Sequence, residues 1–302
     1  MTLTREQILD LLATFTLPGA AYKGLRLFLG RRSDAGNEPG LRDPDSAEAF
    51  LHALGPLFDH WFRATIRGGE HIPATGPALI IGNHSGGILP FEVPLVFREV
   101  MRRHGKEREI YGLAHNFAFD DPTVAKYVLR IGLMRAGHGP ARKAFKRGAL
   151  ALVYPGSDYD SFRPWTERNK VCLAGRTGFI RLVLEERVPL VLVATVGAQE
   201  AFVVLTRGER LANLLNLKQR VRSNVFPLGF SLPWGFNSSI LPYIPLPTRI
   251  TSVVLPPVTF PRYGHQAATD PQYVLQCYGQ VERALQSALD GLAAGRGLPI
   301  IG

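Results

Sequence analysis

The chain has 302 residues, 46% of them hydrophobic, and carries 35 Lys and Arg against 25 Asp and Glu for a net charge of +10. A chain of this length buries roughly three quarters of its unfolded surface, enough for one large domain with an appendage. The basic balance favours anionic partners, but there is no zinc-finger spacing, RNP-like aromatic word or long basic run, so nucleic acid is not expected. Two cysteines, Cys172 and Cys277, make no disulfide framework, and no secretory leader or membrane-spanning helix is expected.

Thr4 and Gln7 form a capping box, and Ile8, Leu11, Leu12 and Phe15 share one helical face up to Pro18-Gly19. The following segment, 20–30, mixes Leu25, Leu27, Phe28 and Leu29 with Lys23 and Arg26, the pattern of an interfacial helix or of a helical hairpin capping a core. Residues 1–44 therefore read as an N-terminal helical segment and 45–302 as the main domain. Asp45 with Glu48 marks the start of a helix whose apolar face holds Leu51, Leu54, Phe58, Trp61 and Phe62.

From there strand and helix patterns alternate. Strands are expected at 78–82, 109–114, 150–154 and 189–195, and helices at 91–103, 122–130, 140–147 and 177–185. Such alternation predicts an α/β fold with a mixed, largely parallel sheet flanked by helices. The stretch 225–257, rich in Pro and aromatic residues, reads as an ordered surface loop followed by a strand at 249–255. Asp270-Pro271 opens a C-terminal helix with Val274, Leu275, Tyr278, Val281, Leu285 and Leu289 on its apolar side.

Two words carry chemistry, each directly after an apolar strand. The first, Asn83-His84-Ser85-Gly86-Gly87-Ile88-Leu89-Pro90, places an imidazole on a glycine-rich loop eight residues before Glu92. Imidazole titrates near neutral pH and suits a general base, and a carboxylate at its other nitrogen fixes the tautomer. Backbone N–H groups of Ser85-Gly86-Gly87 are placed to meet an oxyanion. Glu92 is the candidate partner of His84; Asp120 and Asp121 are alternatives. The second word, Tyr154-Pro155-Gly156-Ser157-Asp158-Tyr159-Asp160-Ser161-Phe162-Arg163-Pro164, offers Arg163 either as a bidentate phosphate contact or as an ion-pair partner of Asp158 or Asp160. Arg176, in Gly175-Arg176-Thr177-Gly178 before a helix, is a second anion anchor or else a solvated Arg. The remaining histidines show no metal-ligand spacing, and no Gly-x-Ser-x-Gly elbow or Walker loop occurs.

The first word resembles block I of the phospholipid/glycerol acyltransferases (1-acylglycerol-3-phosphate acyltransferase-like), in the bacterial branch with a His-Ser-Gly-Gly motif. The family's Asp, which follows the His after four intervening residues, is replaced by Leu89, and Glu92 is the matching acid. The second word resembles block III, with Gly156 and Ser157 standing in for part of the Pro-Glu-Gly-Thr-Arg form. Gly132-Leu133-Met134-Arg135 resembles block II and Val188-Pro189-Leu190-Val191 block IV.

The resemblance implies a glycerol-phosphate acyltransferase-like fold. It also implies transfer of a fatty acyl group from acyl-CoA or acyl carrier protein to a hydroxyl of a glycerolipid or lysophospholipid. His84 would act as base with Glu92 behind it, and Ser85, Gly86, Gly87, Arg135, Gly156, Ser157, Arg163 and Arg176 would contact substrate. No cofactor or metal is implied beyond the acyl donor. An anionic membrane surface is the expected partner, with the protein cytoplasmic and peripheral on the inner face of the cell membrane, docked by its N-terminal segment and the apolar loop at 230–247. A non-catalytic lipid-binding protein of the same fold and an acyl-thioester hydrolase are the competing readings.

Overall fold

The computed structural model describes residues 35–84, 87, 89–217, 219, 223–238 and 243–297. The helices expected before residue 31 lie outside the described residues, so the division at residue 44 is not addressed.

The chain enters through helix α1 (Pro44–Ala53) and a π-helical turn, Leu57–Trp61. One continuous helix was expected here; Gly55-Pro56 interrupts it, because Pro lacks the N–H and crowds the preceding turn. The apolar face survives the break, with Leu51, Leu54, Phe58 and Phe62 buried, whereas Trp61 is 41% exposed. Asp45 and Glu48 do not cap the helix; both bind Lys106 Nζ, and the N-cap position is Asp43.

The main sheet takes strands β1 (Thr65–Arg67), β2 (Ala78–Gly82), β3 (Ile110–Ala114), β4 (Leu133–Arg135), β5 (Leu150–Val153), β6 (Leu190–Val196) and, far along the chain, β10 (Thr251–Val254). Between them run α2 (Glu92–His104), α3 (Pro122–Arg130), α4 (His138–Lys146), α5 (Ser157–Ser161) and α6 (Gly178–Glu186). The spatial order is β1-β10-β6-β2-β5-β3-β4, with every adjacent pair parallel except β10 against β6. The fold is thus mixed α/β with a largely parallel sheet between helices. Strands β1 and β4 were not anticipated, because three residues carry no readable period.

The central strands β2 and β6 are buried along their whole length, so they read as unbroken apolar runs, and their two faces feed different layers. Leu79, Ile81, Leu190, Leu192 and Ala194 face α6 and the C-terminal helices α8 (His265–Thr269) and α9 (Pro271–Ala294). Ile80, Leu152, Val191 and Val193 face Val96, Phe97 and Val100 of α2. Asp121-Pro122 and Asp270-Pro271 start α3 and α9 alike: each Asp side chain accepts two backbone N–H bonds of the first turn, and Pro supplies a residue that needs no partner there. On α9, Leu275 lies 61% exposed outside the buried stripe it was expected to join.

A second, three-stranded antiparallel sheet is built from β7 (Val203–Thr206), β8 (Leu228–Ser231) and β9 (Gly235–Ser238), the last two within the stretch 225–257 expected to be a loop, with helix α7 (Glu209–Leu214) inserted between β7 and β8. Among the described residues no helix is long and apolar enough to cross a membrane.

Candidate active site

Parallel order brings the C-terminal ends of β2, β5 and β6 to one edge of the sheet, the edge at which open α/β sheets hold ligands. Asn83 and His84 leave β2 there, Tyr154 to Ser157 leave β5, and Gly197 to Glu200 leave β6. β2 lies between the other two, so His84 is flanked on both sides.

The position of His84 is fixed before its ring is considered. Asn83 is buried, and its side-chain amide both donates to the Thr195 carbonyl and accepts from the Thr195 N–H, each at 2.8 Å, which continues the β2–β6 ladder by one side chain. The His84 N–H donates to Asp160 Oδ2, and its carbonyl accepts from Arg163 Nη1 at 3.0 Å. Asp160 and Arg163 pair with each other, both essentially without solvent exposure. Burial pulls the Arg163 guanidinium down to about 10, still protonated at neutral pH. Gln199 Nε2 then donates to the Arg163 carbonyl at 2.8 Å, closing a polar layer beneath the loop.

The ring is held by two contacts. His84 Nδ1 meets Glu92 Oε1, and Glu92 is fully buried at the first residue of α2, where the helix dipole favours an acid. The loop from 84 to 92 turns back far enough to close this pair, and Asp120 and Asp121 are not needed for it. Asp121 caps α3, while Asp120 lies 3.8 Å from Arg135. On its other side the imidazole stacks on the Tyr154 ring, centroids 5.0 Å apart and planes 20° from parallel. The Tyr154 hydroxyl is buried without a hydrogen-bond partner, and burial together with the Glu92 charge pushes its pKa well above that of a free phenol. The His84 side chain keeps 19% exposure, and Nε2 is the ring nitrogen not engaged by Glu92.

The remaining expected site residues divide. Ser85 and Gly86 lie outside the described residues. Gly87 has φ +69°, a conformation glycine adopts freely, and its N–H donates to the Ser161 carbonyl at 3.2 Å. Gly156 is required by space: a Cβ there would stand 2.1 Å from the Cys172 carbonyl oxygen. Ser157, at φ +48°, begins the short α5. Arg176 donates to the Pro155 carbonyl at 3.2 Å and to Asp158 Oδ1 at 2.8 Å, bracing the same loop from outside with its side chain 38% exposed.

Arg163 and Arg135 stand apart from the expectation that they meet substrate. Arg163 is wholly buried and takes the ion-pair alternative, with Asp160 as partner, because its guanidinium supports the His84 backbone from below. Arg135 ends β4, three strands from β2 or roughly 14 Å at normal strand spacing. Its guanidinium binds the Ala35 carbonyl and stacks over Phe119. Sequence reasoning missed Tyr154, Asp160 and Gln199 as site residues. The i, i+3 spacing of Asp160 and Arg163 was the available signal for one of them.

The chemistry of this arrangement is that of a histidine–carboxylate pair at a strand end, able to accept a proton at Nε2 while Glu92 stabilises the imidazolium. A family model described as diacylglycerol acyltransferase matches residues 60–285, a span that holds all of this site. The chain belongs to the diacylglycerol acyltransferase family. As a member of that family it is an acyltransferase of lipid metabolism.

An uncharacterized protein of Mycobacterium tuberculosis is 29% identical to this acyltransferase over 255 residues, covering 84% of this chain and 68% of that protein. An uncharacterized protein of Mycobacterium leprae is likewise 29% identical, with 84% and 67% covered. The Gallus gallus DGAT1/2-independent enzyme synthesizing storage lipids is 26% identical over 195 residues, which is 64% of this chain and 55% of that enzyme. Among solved structures, the 1-acyl-sn-glycerophosphate (LPA) acyltransferase PlsC of Thermotoga maritima aligns with a TM-score of 0.49 and 15% identity, over 96% of this chain and 95% of that one.

Proposed function

We propose that the protein transfers a fatty acyl group from an acyl thioester, acyl-CoA or acyl carrier protein, to a hydroxyl of a glycerolipid or lysophospholipid, with His84 as the general base. The observation that carries this reading is the contact of His84 Nδ1 with the buried Glu92, which leaves Nε2 as the basic nitrogen on a partly exposed ring. Nε2 removes the proton of the acceptor hydroxyl as its oxygen attacks the thioester carbonyl. The tetrahedral intermediate collapses with loss of the thiolate, and the imidazolium returns the proton to sulfur. Glu92 does not touch substrate; it fixes the tautomer and stabilises the imidazolium.

Within the acceptor class, a neutral diacylglycerol hydroxyl fits better than a phosphate-bearing acceptor. Arg163, the cation expected to read a phosphate, is spent on Asp160 and the His84 carbonyl. The family description supports the same choice. The enzyme would work in the cytoplasm, peripheral on the inner face of the cell membrane, where such acceptors reside.

The test is mass spectrometry of products formed by wild type and His84→Ala from palmitoyl-CoA with glycerol, lysophospholipid, monoacylglycerol and diacylglycerol acceptors. An ester made by wild type and lost in the variant supports the proposal, and triacylglycerol as the main product supports the neutral acceptor. Free palmitate without ester would mean a thioesterase, and equal turnover by both proteins would remove His84 from the mechanism.

A further inference from the structure

Among the described residues, exposed aromatic and aliphatic side chains gather on the small sheet. Phe230 of β8 stands directly opposite Phe236 of β9, and the two are 47% and 67% exposed. Leu232 and Trp234 in the connecting turn and Ile244, which bridges to Leu232, extend the same surface. Trp61, 41% exposed, donates its indole N–H to the carbonyl of Pro245, the neighbour of Ile244. Half-exposed Phe and Trp gathered in one place exceed what scattered surface hydrophobics explain.

Two further observations say what meets this surface. The sequence has no charged residue between Arg222 and Arg249, and the edge of the patch carries the exposed Arg63, bonded to the Pro247 carbonyl, and Arg249. An uncharged aromatic face with a cationic rim, on a chain of net charge +10, complements an anionic bilayer surface, in which rings enter the headgroup boundary and arginines meet phosphates. The opposite face of the same sheet is tied to the catalytic loop. Val204, with Phe202 and Tyr243, packs against Leu89, and the Tyr243 hydroxyl bonds to the Leu89 backbone, between His84 and Glu92.

We propose that this aromatic face is the surface by which the enzyme docks on an anionic phospholipid bilayer, bringing the sheet edge that carries His84 to the plane where its lipid acceptor lies. The role of the docked state in catalysis rests on the glycerolipid acceptor proposed above; the docking itself does not. The face points outward while the sheet's inner side closes on the catalytic loop, so docking by this face holds that loop near the bilayer.

The experiment compares the full-length wild type with Phe230→Ser/Phe236→Ser in flotation with vesicles of phosphatidylcholine and phosphatidylglycerol. Both rings are exposed, so circular dichroism and thermal melting of the variant are expected to match wild type. Vesicle affinity is expected to fall about tenfold or more, the effect of withdrawing two partly inserted rings. Turnover of diacylglycerol held in vesicles falls with it, whereas turnover of a short-chain diacylglycerol dissolved below its micelle concentration is unchanged.

Unchanged flotation of the variant overturns the proposal, as does a wild type that does not bind these vesicles. A wild-type dimer in light scattering that the double substitution turns into a monomer overturns it as well, by assigning the face to a second copy of the chain. Phenylalanine-dependent flotation without any acyl transfer supports the docking surface while refuting the acyl-transfer reading.

Discussion

Asp160→Asn tests whether the buried polar layer beneath the loop sets the position of the proposed base. Asp160 uses one carboxylate oxygen for the His84 N–H and the other for Arg163 Nη1. An amide of the same shape offers one acceptor and opposes a donor with a donor at the other position. Arg163 is left as a cation with no exposure, no carboxylate partner and an already unsatisfied Nε. Breaking one side of a buried ion pair costs about 3–5 kcal/mol. For 302 residues, at about 2.1 cal/mol/K of unfolding entropy per residue, that cost corresponds to a melting temperature lower by about 5–8 °C.

Arg163→Met alone leaves the carboxylate stranded and is expected to cost a similar amount. Asp160→Asn/Arg163→Met removes both charges, so the double variant is expected to be more stable than either single one. Its acyl transfer stays low nevertheless, because the His84 N–H has lost its carboxylate and the His84 carbonyl its guanidinium. Differential scanning calorimetry and product assays on the four proteins complete the cycle. A double variant as destabilised as the sum of its parts, or a stable double variant with wild-type turnover, would refute this account of the layer.

Three further outcomes follow from the same geometry. Glu92→Gln keeps volume but removes the charge that stabilises the imidazolium, and kcat is expected to fall about 10²–10⁴-fold, measured on the product that His84→Ala fails to make. Tyr154→Phe removes a buried hydroxyl that has no partner, so stability should be equal or higher by up to about 1 kcal/mol in denaturant unfolding; a clear loss would mean that the hydroxyl is satisfied in solution. Burial alone would raise the Asp43 carboxyl, but the Ser46 hydroxyl and Arg130 outweigh it and hold the pKa at about 2 against an ordinary 3.8. The contribution of this depressed acid is full above the unfolded value and disappears as pH falls from about 4 towards 2, so Asp43→Asn is expected to flatten that part of the stability profile.

Much of the main sheet and half of the site were legible in the residues. The strands β2, β5 and β6 are unbroken apolar runs, and Asp-Pro pairs mark two helix starts; both signals are local. Asn83-His84 after a buried strand announced the candidate base, and Glu92 in the first turn of a helix announced the carboxylate that its ring meets. The short strands β1 and β4 were invisible because three residues form strands only when a neighbouring strand supplies their hydrogen bonds. The β8–β9 hairpin was read as a loop for a related reason: the Pro and Gly content of its stretch lowers strand propensity, and the pairing of Phe230 with Phe236 is a property of the assembled hairpin.

The sequence by itself determined the alternating layers, the place of His84 at a strand end and the two stretches from which a site would be assembled, since periodicity and turn chemistry act over a few residues. Only tertiary structure decided which groups meet across sequence separations of 76 and 79, where Asp160 takes the His84 N–H and Arg163 its carbonyl. A guanidinium on a loop serves equally well to bind phosphate or to neutralise a carboxylate, and the choice is made by burial, which penalises a lone charge and rewards a paired one. Nothing in the local sequence around Arg163 encodes that burial; the packing of β5 beside β2 does.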